Sequence, residues 1–350
     1  MRMRWMVLLG VLAVPAAFAQ QQAGPQKPLL GCGAHGESEV ICGTHAPEDL
    51  ELTPDGKYLI VSQYVTFRGR ATHSELMLMD LAGKTFSALP MTAAPSADWG
   101  DAACPGPIGD KLGPHGISLS KRADGKMQLY VVNHGGRESI EMFELKQTAG
   151  RWGLIWHGCH VTKQAFNDVA ALADGGFVAS QPTSIREKNL FDGKPTGYVV
   201  RWRQGRGEAE LPGTRSGYPN GLLVSADGRY LYYNAWTAKE VHKYDLRSEK
   251  DVGVAKLDFM PDNITWKSDG GMLAAGIKGV GGACPAGSGT PCLQAFGVAS
   301  IDTANMAAKT VYDSAGKDAL ISGVSVALQV GNDIYVGAFQ GDRIAKIPLR

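Results

Sequence analysis

The stretch YPNGLLVSADGRYLYYN, residues 218–234, decides the fold, because it places two apolar runs on either side of a tight-turn signal. An Asp-Gly pair between apolar runs is typical of a β-hairpin, since both residues tolerate the positive φ angles of tight turns. Asn220 lies at the start of the first run, several residues before the turn at Asp227. The stretch therefore predicts strand, turn and strand, with an oxygen-bearing side chain at the entrance of the first strand.

Five further segments repeat this unit: APEDLELTPDGKYLIVS (46–62), HGISLSKRADGKMQLYVVNH (115–134), FNDVAALADGGFVAS (166–180), PDNITWKSDGGMLAA (261–275) and VSVALQVGNDIYVGAF (324–339). The six turn positions recur about every 55 residues, which is typical of the four-stranded blades of propellers. We interpret these positions as structural turns rather than ligands: Asp55, Asp124, Asp174, Asp227, Asp269 and Asn332. The repeat predicts an all-β fold, a six-bladed β-propeller over residues 45–350.

Composition agrees with this fold and excludes one class of partner. Glycine makes up 45 of 350 residues, and long amphipathic helical patterns are absent. Lys and Arg together number 35 against 34 Asp and Glu, with no polybasic run, so nucleic acid is not expected as a partner. The densest basic patch, RWRQGRGEAE at 201–210, falls where an outer strand and its turn are expected, and we interpret it as a solvated blade edge.

The N-terminal sequence is typical of an export signal. Arg2 and Arg4 precede an apolar run, Trp5–Phe18, that ends in small residues up to Ala19. The run is too short to span a bilayer comfortably, so we predict a signal peptide at residues 1–19 with cleavage after Ala19 and no stable membrane span. The expected location is the periplasm or the extracellular space, and a retained anchor is the minor alternative.

Residues 20–44 are interpreted as an N-terminal segment that precedes the propeller. Its sequence Leu29-Leu30-Gly31-Cys32 superficially resembles a lipidation box. The polar stretch QQQAGPQKP separates this box from the apolar run, whereas a lipidated cysteine should follow that run directly, so lipidation is disfavoured.

An even set of six cysteines in an exported chain favours disulfides: Cys32, Cys42, Cys104, Cys159, Cys284 and Cys292. Six cysteines allow fifteen pairings. The last two bracket CPAGSGTPC and form the most probable local pair, the first two are a plausible second pair, and the middle two then remain. The spacing resembles no zinc site.

Oxygen-rich side chains stand at matching positions of four units: Glu48-Asp49, Asn167-Asp168, Asn220 and Asp262-Asn263, with His115 and His134 between them. Carboxylates and carboxamides are hard oxygen donors that suit Ca²⁺ and disfavour Zn²⁺ or copper. A single Asn before Gly is commonly a turn residue, but its companions favour a ligand role. The sequence therefore predicts a calcium site assembled from separate blades.

The ordered motifs carry a family resemblance. Residues 114–118 (PHGIS) and 130–134 (YVVNH), together with APEDLEL, FNDVAAL, PNGLLVSADGRYLY and PDNIT, resemble the serum paraoxonase/arylesterase family of calcium-dependent lactonases, relatives of the gluconolactonase-like six-bladed propellers. Each motif alone is weak, whereas the ordered set covers residues 45 to 340. The resemblance implies a central calcium-containing channel and a small-molecule lactone or ester substrate.

The resemblance also implies two Ca²⁺ ions. The upper, catalytic ion is expected at Glu48, Asn167, Asn220, Asp262 and Asn263. The buried, structural ion is expected at Asp49, Asp168 and the backbone carbonyl of Ile117. Because adjacent strand residues point to opposite sides, each of the two acidic dipeptides can serve both ions.

The family's histidine dyad corresponds to His115 and His134. The first is expected to deprotonate a water, and the second to orient it or relay the proton, while Ca²⁺ stabilises the oxyanion that forms from the ester or lactone carbonyl. This reaction needs no nucleophilic serine. A packed loop histidine is the alternative interpretation of His115.

Three residues are expected in the substrate pocket. Tyr218 replaces a phenylalanine of the family's pocket wall, and Lys278 stands where relatives often carry a histidine. Trp99 lies in the polar insertion 92–113, a candidate lid, and contacts either substrate or the protein core. The chain ends KIPLR without a cysteine, so ring closure must come from strand pairing between the chain ends or from other bridges.

The predicted function is a carboxylic ester hydrolase, a secreted lactonase or arylesterase. The alternatives are a sugar lactonase with a polar pocket, a calcium-stabilised binding propeller without catalysis, and, less well matched, a strictosidine-synthase-like condensing enzyme. The other histidines are assigned surface or packing roles: His35, His45, His73, His157, His160 and His242.

Overall fold

The fold is built from short antiparallel sheets that follow one another along the chain. The structure, a computed structural model, describes residues 29–64, 74–183, 188, 190–279 and 294–349. Within these residues the chain forms twenty-six strands and one 3₁₀ helix, Gly109–Lys111. The predicted signal peptide lies outside the described residues. No helix in the described part of the chain is long and apolar enough to cross a membrane.

The strands group into six sheets. Two strands precede the first complete sheet: β1 (Gly33–His35) and β2 (Ser38–Cys42). Blade 1 contains β3 (Pro47–Leu52), β4 (Tyr58–Gln63), β5 (Leu76–Asp80) and β6 (Phe86–Ala88). Blade 2 contains β7 (Met91–Ala93), β8 (Pro114–Lys121), β9 (Met127–Asn133), β10 (Ser139–Thr148) and β11 (Arg151–Val161). Blade 3 contains β12 (Val169–Ala171), β13 (Phe177–Pro182), β14 (Gly197–Arg203) and β15 (Gly207–Glu210).

The remaining strands form three more blades. Blade 4 contains β16 (Pro219–Val224), β17 (Tyr230–Ala235), β18 (Glu240–Asp245) and β19 (Lys250–Lys256). Blade 5 contains β20 (Met260–Trp266), β21 (Met272–Ile277), β22 (Phe296–Ile301) and β23 (Ala308–Asp313). Blade 6 contains β24 (Val324–Val330), β25 (Asp333–Ala338) and β26 (Arg343–Pro348), and its outer strands are β2 and β1.

The first strand of each blade lies at the centre of a closed ring. β3 contacts β8, the contacts continue through β12, β16 and β20 to β24, and β24 contacts β3. The prediction of a six-bladed β-propeller is confirmed. The described chain closes the ring by strand pairing, one of the two expected routes, because β2 pairs with β26 in register Val40 to Ala345.

The predicted turns join the first and second strands of every blade, and several of the aspartates stabilise them. Asp124 and Asp174 each accept a hydrogen bond from the backbone N–H two residues ahead. The glycine after each aspartate adopts a positive φ, for example 85° at Gly175. Local turn chemistry therefore fixes where each hairpin reverses.

The hydrophobic core is divided among the blade interfaces. Adjacent residues of one strand face opposite neighbours, so Phe177 packs toward blade 2 while Val178 packs toward blade 4. Among the described residues, one apolar cluster lies between each pair of neighbouring blades, including blades 6 and 1. Each blade is thus covered on both faces, which explains strands that are apolar at nearly every position.

Two predicted disulfides are present: Cys32 with Cys42 and Cys104 with Cys159. The predicted third pair lies outside the described residues. The first disulfide ties the strand region preceding residue 45 to itself, and the second fastens the 92–113 insertion to β11. Such bridges are typical of proteins in an oxidising compartment.

A charged histidine joins blade 2 to blade 3. The His160 ring on β11 bonds Asp101 through Nδ1 and Glu208 of β15 through Nε2. Burial lowers the pKa of His160, but the hydrogen bonds to Glu208 and Asp101 outweigh burial and raise it above the usual value. The ring therefore favours the protonated state, in which both nitrogens donate.

Candidate functional site

β-Bulges mark the entrances of the inner strands. Pairing with the second strand shifts between Pro47 and Asp49, and again between Pro219 and Leu222. The same shift follows Pro114 and Pro261. In each case the bulge contains predicted site residues: Glu48, His115, Asn220, Asp262 and Asn263. A bulge adds a residue to one strand and redirects its side chain, so these bulges gather polar groups at one end of the channel.

Two glycines let neighbouring inner strands approach closely. A Cβ on Gly116 would lie 2.2 Å from Asp168 Oδ1, and one on Gly221 would lie 2.5 Å from the Cα of Asn263. Because those distances are far below van der Waals contact, any side chain at either glycine would push adjacent blades apart. The glycine after His115 and the glycine after Asn220 are therefore requirements of the site.

The predicted upper ligands come together around Glu48. Asn263 Nδ2 donates to Glu48 Oε1 at 2.8 Å, and Ser325 Oγ donates to the Glu48 backbone carbonyl at 2.6 Å. Asn220 donates to Asp262, a contact that lowers the pKa of that carboxyl. These contacts join blades 1, 4, 5 and 6 at the channel axis.

Four oxygens of this group are buried without a hydrogen-bond partner in the described part of the chain. They belong to the predicted upper ligands: Glu48 Oε2, Asn167 Oδ1, Asn220 Oδ1 and Asn263 Oδ1. An unsatisfied buried acceptor costs about 1–3 kcal/mol, so four in one place call for a common partner. A hard cation such as Ca²⁺ fits this set of donors, since it takes six to eight oxygens from carboxylates and carboxamides.

The carboxylates of the site are buried and repel one another. Burial, then repulsion from Asp49, Asp262 and Asp168, raises the pKa of Glu48 well above its usual value. Burial is likewise the main cause that raises the pKa of Asp49 to about 7 and that of Asp262 to about 7. Opposite charge favours the ionised form of these acids, so a cation would restore their ordinary acidity.

The lower pair, Asp49 and Asp168, is held by hydrogen bonds from backbone N–H groups. Asp49 accepts N–H bonds from Leu50 and from Ile117 of the next blade, both at 2.8 Å. Asp168 accepts from Val169 at 2.7 Å and from Leu222 of the next blade at 2.6 Å. Each carboxylate thus bridges two blades, and Ile117 contacts Asp49 through its N–H. The predicted ligand role of the Ile117 carbonyl stays a prediction.

Carboxamides are essential to the predicted upper cation site. Among the described residues, no three His, Cys, Asp or Glu side chains converge as a metal-binding cluster by themselves. Glu48 and Asp262 supply the only carboxylates of the predicted upper set, and three asparagines supply the rest. This composition agrees with the expected preference for Ca²⁺ over Zn²⁺.

The two predicted histidines form a proton-sharing chain. His134 Nδ1 lies 2.6 Å from Glu138 Oε2, and His134 Nε2 lies 3.0 Å from His115 Nδ1. A carboxylate only accepts, so Nδ1–H of His134 donates to Glu138, and Nδ1–H of His115 then donates to His134. The lone pair of His115 is left on Nε2, which faces Glu48 Oε1 at 3.8 Å.

His115 is held in a buried, neutral state. Burial and then the neighbouring His134 lower the pKa of His115 well below its usual value. The Tyr64 ring packs on His115 with centroids 4.3 Å apart, and Ser62 Oγ donates to the His115 carbonyl. The ring therefore has a fixed orientation toward the cluster of oxygens.

Sequence reasoning missed the residues that support the site from behind. Four residues in the last three positions of the second strands bond the adjacent bulge or loop: Ser62, Asn133, Ser180 and Asn234. Asn133 Oδ1, for example, accepts from Gly113 and Gly135. The signal was present, because these residues occupy matching positions in the repeated unit. Glu138 was also missed, although it follows His134 by four residues.

An apolar wall adjoins the upper oxygens. Tyr218, directly before the Asn220 bulge, packs with Leu190, Trp236, Met260 and Ile277. Burial raises the pKa of the Tyr218 hydroxyl, and Asp262 raises it further. The half-exposed Phe191 ring lies 5.9 Å from the Trp236 ring. Tyr218 therefore lies beside the predicted ligands, within an aromatic surface.

The other two predicted pocket residues lie elsewhere. Lys278 Nζ pairs with Asp258 at 2.6 Å and with Asp313 at 2.8 Å, and the latter ends the outermost strand of blade 5. The amine is therefore held toward the blade edge, which corrects its assignment to the channel wall. The neighbouring insertion at 280–293 lies outside the described residues.

Trp99 belongs to the core rather than to a substrate pocket. It is 2% exposed and packs with Tyr130. Its ring centroid lies 4.6 Å from the Arg122 guanidinium carbon. Arg122 follows β8, whose eight residues span roughly 23 Å, so Trp99 lies near the strand end opposite His115. Packing in the interface of blades 2 and 3 is the correct one of the two expectations.

The 92–113 insertion is fixed to blade 2. It runs along β11, where Asp101 N–H donates to the Cys159 carbonyl, and its end reaches the dyad loop, where the His134 N–H donates to the Gly113 carbonyl. The insertion therefore supports the loop that carries His134. That this insertion covers the channel mouth stays a prediction.

Comparisons with known proteins agree with this arrangement. A sequence model of the Arylesterase family matches residues 44–341, so the chain belongs to the arylesterase family. Human serum paraoxonase/arylesterase 1 is 25% identical over 247 residues, which cover 65% of each chain. Human serum paraoxonase/lactonase 3 is 28% identical over 173 residues, 47% of this chain and 48% of that protein. These matches thus span less than two thirds of the relatives' length.

Solved structures support the fold. A gluconolactonase of Xanthomonas campestris superposes with a TM-score of 0.51 at 15% identity, covering 95% of this chain and 99% of that chain. A luciferin-regenerating enzyme gives a TM-score of 0.53 at 12% identity, covering 89% and 94%. At such identities the likeness concerns the propeller architecture alone.

Proposed function

We propose that the protein is a calcium-dependent hydrolase of lactones and of aryl or alkyl esters. The observation that carries this proposal is the chain from Glu138 through His134 to His115, which leaves the Nε2 lone pair of His115 facing the unpaired oxygens around Glu48. A general base lies beside a set of oxygens suited to a hard cation. Membership of the arylesterase family supports the same reaction class.

The residues present fit two cations. Glu48, Asn167, Asn220, Asp262 and Asn263 would hold the upper ion, and Asp49, Asp168 and the Ile117 carbonyl the lower one. A Ca²⁺ ion at the upper site would polarise the substrate carbonyl and offset the charge that develops on its oxygen. The lower pair joins backbone groups of four blades, so its role would be structural.

His115 carries the proton transfers. Its lowered pKa keeps the imidazole neutral at pH 7, so Nε2 can remove a proton from water as the water oxygen bonds to the carbonyl carbon. The positive charge that develops on His115 is stabilised by the Glu138 carboxylate, which accepts a hydrogen bond from His134. When the bond from the acyl carbon to the ester or ring oxygen breaks, His115 returns the proton to the departing oxygen.

The pocket wall favours an apolar substrate group. Next to the upper oxygens, the half-exposed Phe191 ring packs near Trp236, which belongs to a buried apolar cluster with Tyr218 and Met260. Burying apolar area contributes roughly 25 cal/mol per Å², so an aryl or alkyl group gains affinity there that a polyhydroxylated ring would not. We therefore place aliphatic lactones and phenyl esters ahead of sugar lactones as substrates.

The test is hydrolysis of phenyl acetate, aliphatic lactones and gluconolactone, with Ca²⁺ and after chelation by EGTA. Activity that disappears with EGTA and returns with Ca²⁺ is expected, with the sugar lactone the poorest substrate. A folded, calcium-loaded protein that turns over none of these compounds would favour the binding-propeller alternative.

The matched variants are His115→Gln and His35→Gln. The first removes the base, and the second makes the same change on β1, far from the channel. We expect turnover to fall at least a hundredfold in His115→Gln with calcium content unchanged, and to stay normal in His35→Gln. Equal activity in the two variants would refute the base assignment.

A further inference from the structure

The channel has a second opening, at the face opposite the dyad. A cavity of about 320 Å³ extends from Asp49 and Asp168 to the far ends of the inner strands, where Ser268 and Gln329 line its rim. We call this cavity the lower chamber. Ser268 is exposed, so the lower chamber connects the lower carboxylate pair with solvent.

Glu51 lies between the rim and that pair. It follows Asp49 by two residues on β3, so both side chains point to the same side of the strand, and both line the lower chamber. Its Oε1 accepts the Leu119 N–H of the next blade at 2.9 Å. Protein encloses the carboxyl except toward the lower chamber, and the side chain is partly accessible there.

The lower chamber is acidic along its length. Its charged lining residues are Asp49, Asp168, Glu51 and Lys267. The Lys267 amine pairs with Asp269, 2.7 Å away on the exposed turn. The lower chamber thus carries three carboxylates against one lysine that is already paired, and nothing in the proposed hydrolysis uses Glu51.

A cation that enters a narrow chamber loses water before it reaches its final ligands. A carboxylate partway along replaces some of that hydration and lowers the barrier in both directions. Such a group changes the rates of binding and release more than it changes the equilibrium affinity. A relay carboxylate, which the cation contacts only in passing, therefore differs from a ligand, whose loss mainly lowers the equilibrium affinity.

We infer that the lower chamber is the route by which the Asp49 and Asp168 cation is loaded and released, with Glu51 as the relay carboxylate. The inference rests on the two-cation part of the proposed function. The upper opening remains for the substrate, so cation exchange and turnover use opposite ends of one channel.

Trp266 provides the probe, because it lines the lower chamber and is 36% exposed. Tb³⁺ mixed with EGTA-treated, desalted protein in a stopped-flow instrument should show tryptophan-sensitised emission. The phase that Trp266→Phe abolishes belongs to the lower site. In Glu51→Gln that phase should be at least threefold slower, both on mixing with Tb³⁺ and on release into EGTA, with a smaller change in the dissociation constant.

Asp227→Asn is the matched control, since it removes one charge from an exposed turn on the same face, outside the lower chamber. Its rates should equal those of the wild type. Ser268→Glu adds charge at the rim and should accelerate loading at low ionic strength but not at 0.5 M salt, where the Debye length is about 4 Å. This second variant keeps the inference testable if Glu51→Gln fails to fold.

Unchanged rates in Glu51→Gln would overturn the relay, and unchanged rates in both variants would overturn the route. Absence of any phase that depends on Trp266 would remove the lower cation and, with it, this inference. The hydrolase proposal is decided separately, by calcium-dependent turnover of phenyl acetate.

Discussion

Neutralising Asp168 should abolish the stabilisation that calcium gives at the lower site. The Asp168 carboxylate accepts N–H bonds from Val169 and Leu222, and its charge faces Asp49. In Asp168→Asn one oxygen can still accept from Val169, whereas the new amide group opposes the Leu222 N–H. Without calcium, the variant also loses the repulsion between Asp168 and Asp49, which offsets part of the free energy of that lost hydrogen bond. The free energy of unfolding of the calcium-free variant should therefore differ little from that of the wild type.

The magnitude follows from linkage. An ion present at a hundred times its dissociation constant stabilises the native state by about 2.7 kcal/mol. An unfolding entropy of about 2.1 cal/mol/K per residue gives roughly 1.4 °C per kcal/mol for about 330 residues, so the lower ion contributes about 4 °C to the melting temperature. That increment should be present in the wild type and missing in Asp168→Asn.

The assay is thermal unfolding followed by circular dichroism, in millimolar Ca²⁺ and in EGTA, for the wild type, Asp168→Asn and Asp174→Asn. Asp174 lies in the exposed turn of the same blade and controls for the loss of one charge. Chelation should lower the melting temperature less in Asp168→Asn than in the other two proteins. An equal drop in all three would show that Asp168 holds no cation.

Three further predictions concern Glu138, His160 and the Cys104 to Cys159 bridge. Glu138→Gln removes the acceptor that fixes the His134 tautomer, so kcat should fall at least tenfold while calcium content, measured by elemental analysis, stays constant. His160 has a raised pKa, so its contribution to stability is complete below about pH 6.5 and declines as the pH rises through that raised value. Urea unfolding across pH 6 to 9 should show this decline in the wild type and a flatter profile in His160→Gln. Replacing both Cys104 and Cys159 with Ala opens a cross-link between residues 55 positions apart and should cost about 4 kcal/mol of unfolding free energy in the chain-entropy estimate. Chemical denaturation measures that loss, and a change below 1 kcal/mol would contradict it.

Features set by local chemistry were predictable from the sequence. Each Asp-Gly turn depends on its own backbone bonds and on a positive φ, so the hairpins and the number of blades followed from the repeat. Asn220 and Asp262 were found because each stands at the entrance of the first strand of a repeated unit, where the structure has a bulge. Their predicted cation is supported by four unpaired oxygens and awaits measurement.

Features set by long-range packing were not predictable in the same way. Trp99 stands in a polar insertion, and only the approach of Tyr130 and Arg122 from elsewhere in blade 2 makes it a core residue. Lys278 stands beside an insertion, and its actual partners are Asp258, in the loop before β20, and Asp313, at the end of β23. Side-chain direction at such positions depends on the neighbours that folding supplies.

The pairing of β2 with β26 has a consequence for how the chain folds. Five of the six blade interfaces join blades that follow one another in sequence, whereas the last joins blade 6 to blade 1. Within blade 6, Val40 pairs with Ala345, about 300 residues away. Until that pairing forms, an incomplete ring presents two unpaired apolar blade faces, and distant contacts of this kind form slowly. The slowest folding step should therefore be the docking of β2. The predicted calcium ligands come from several blades of the ring. Calcium should therefore bind late in folding and stabilise the closed ring.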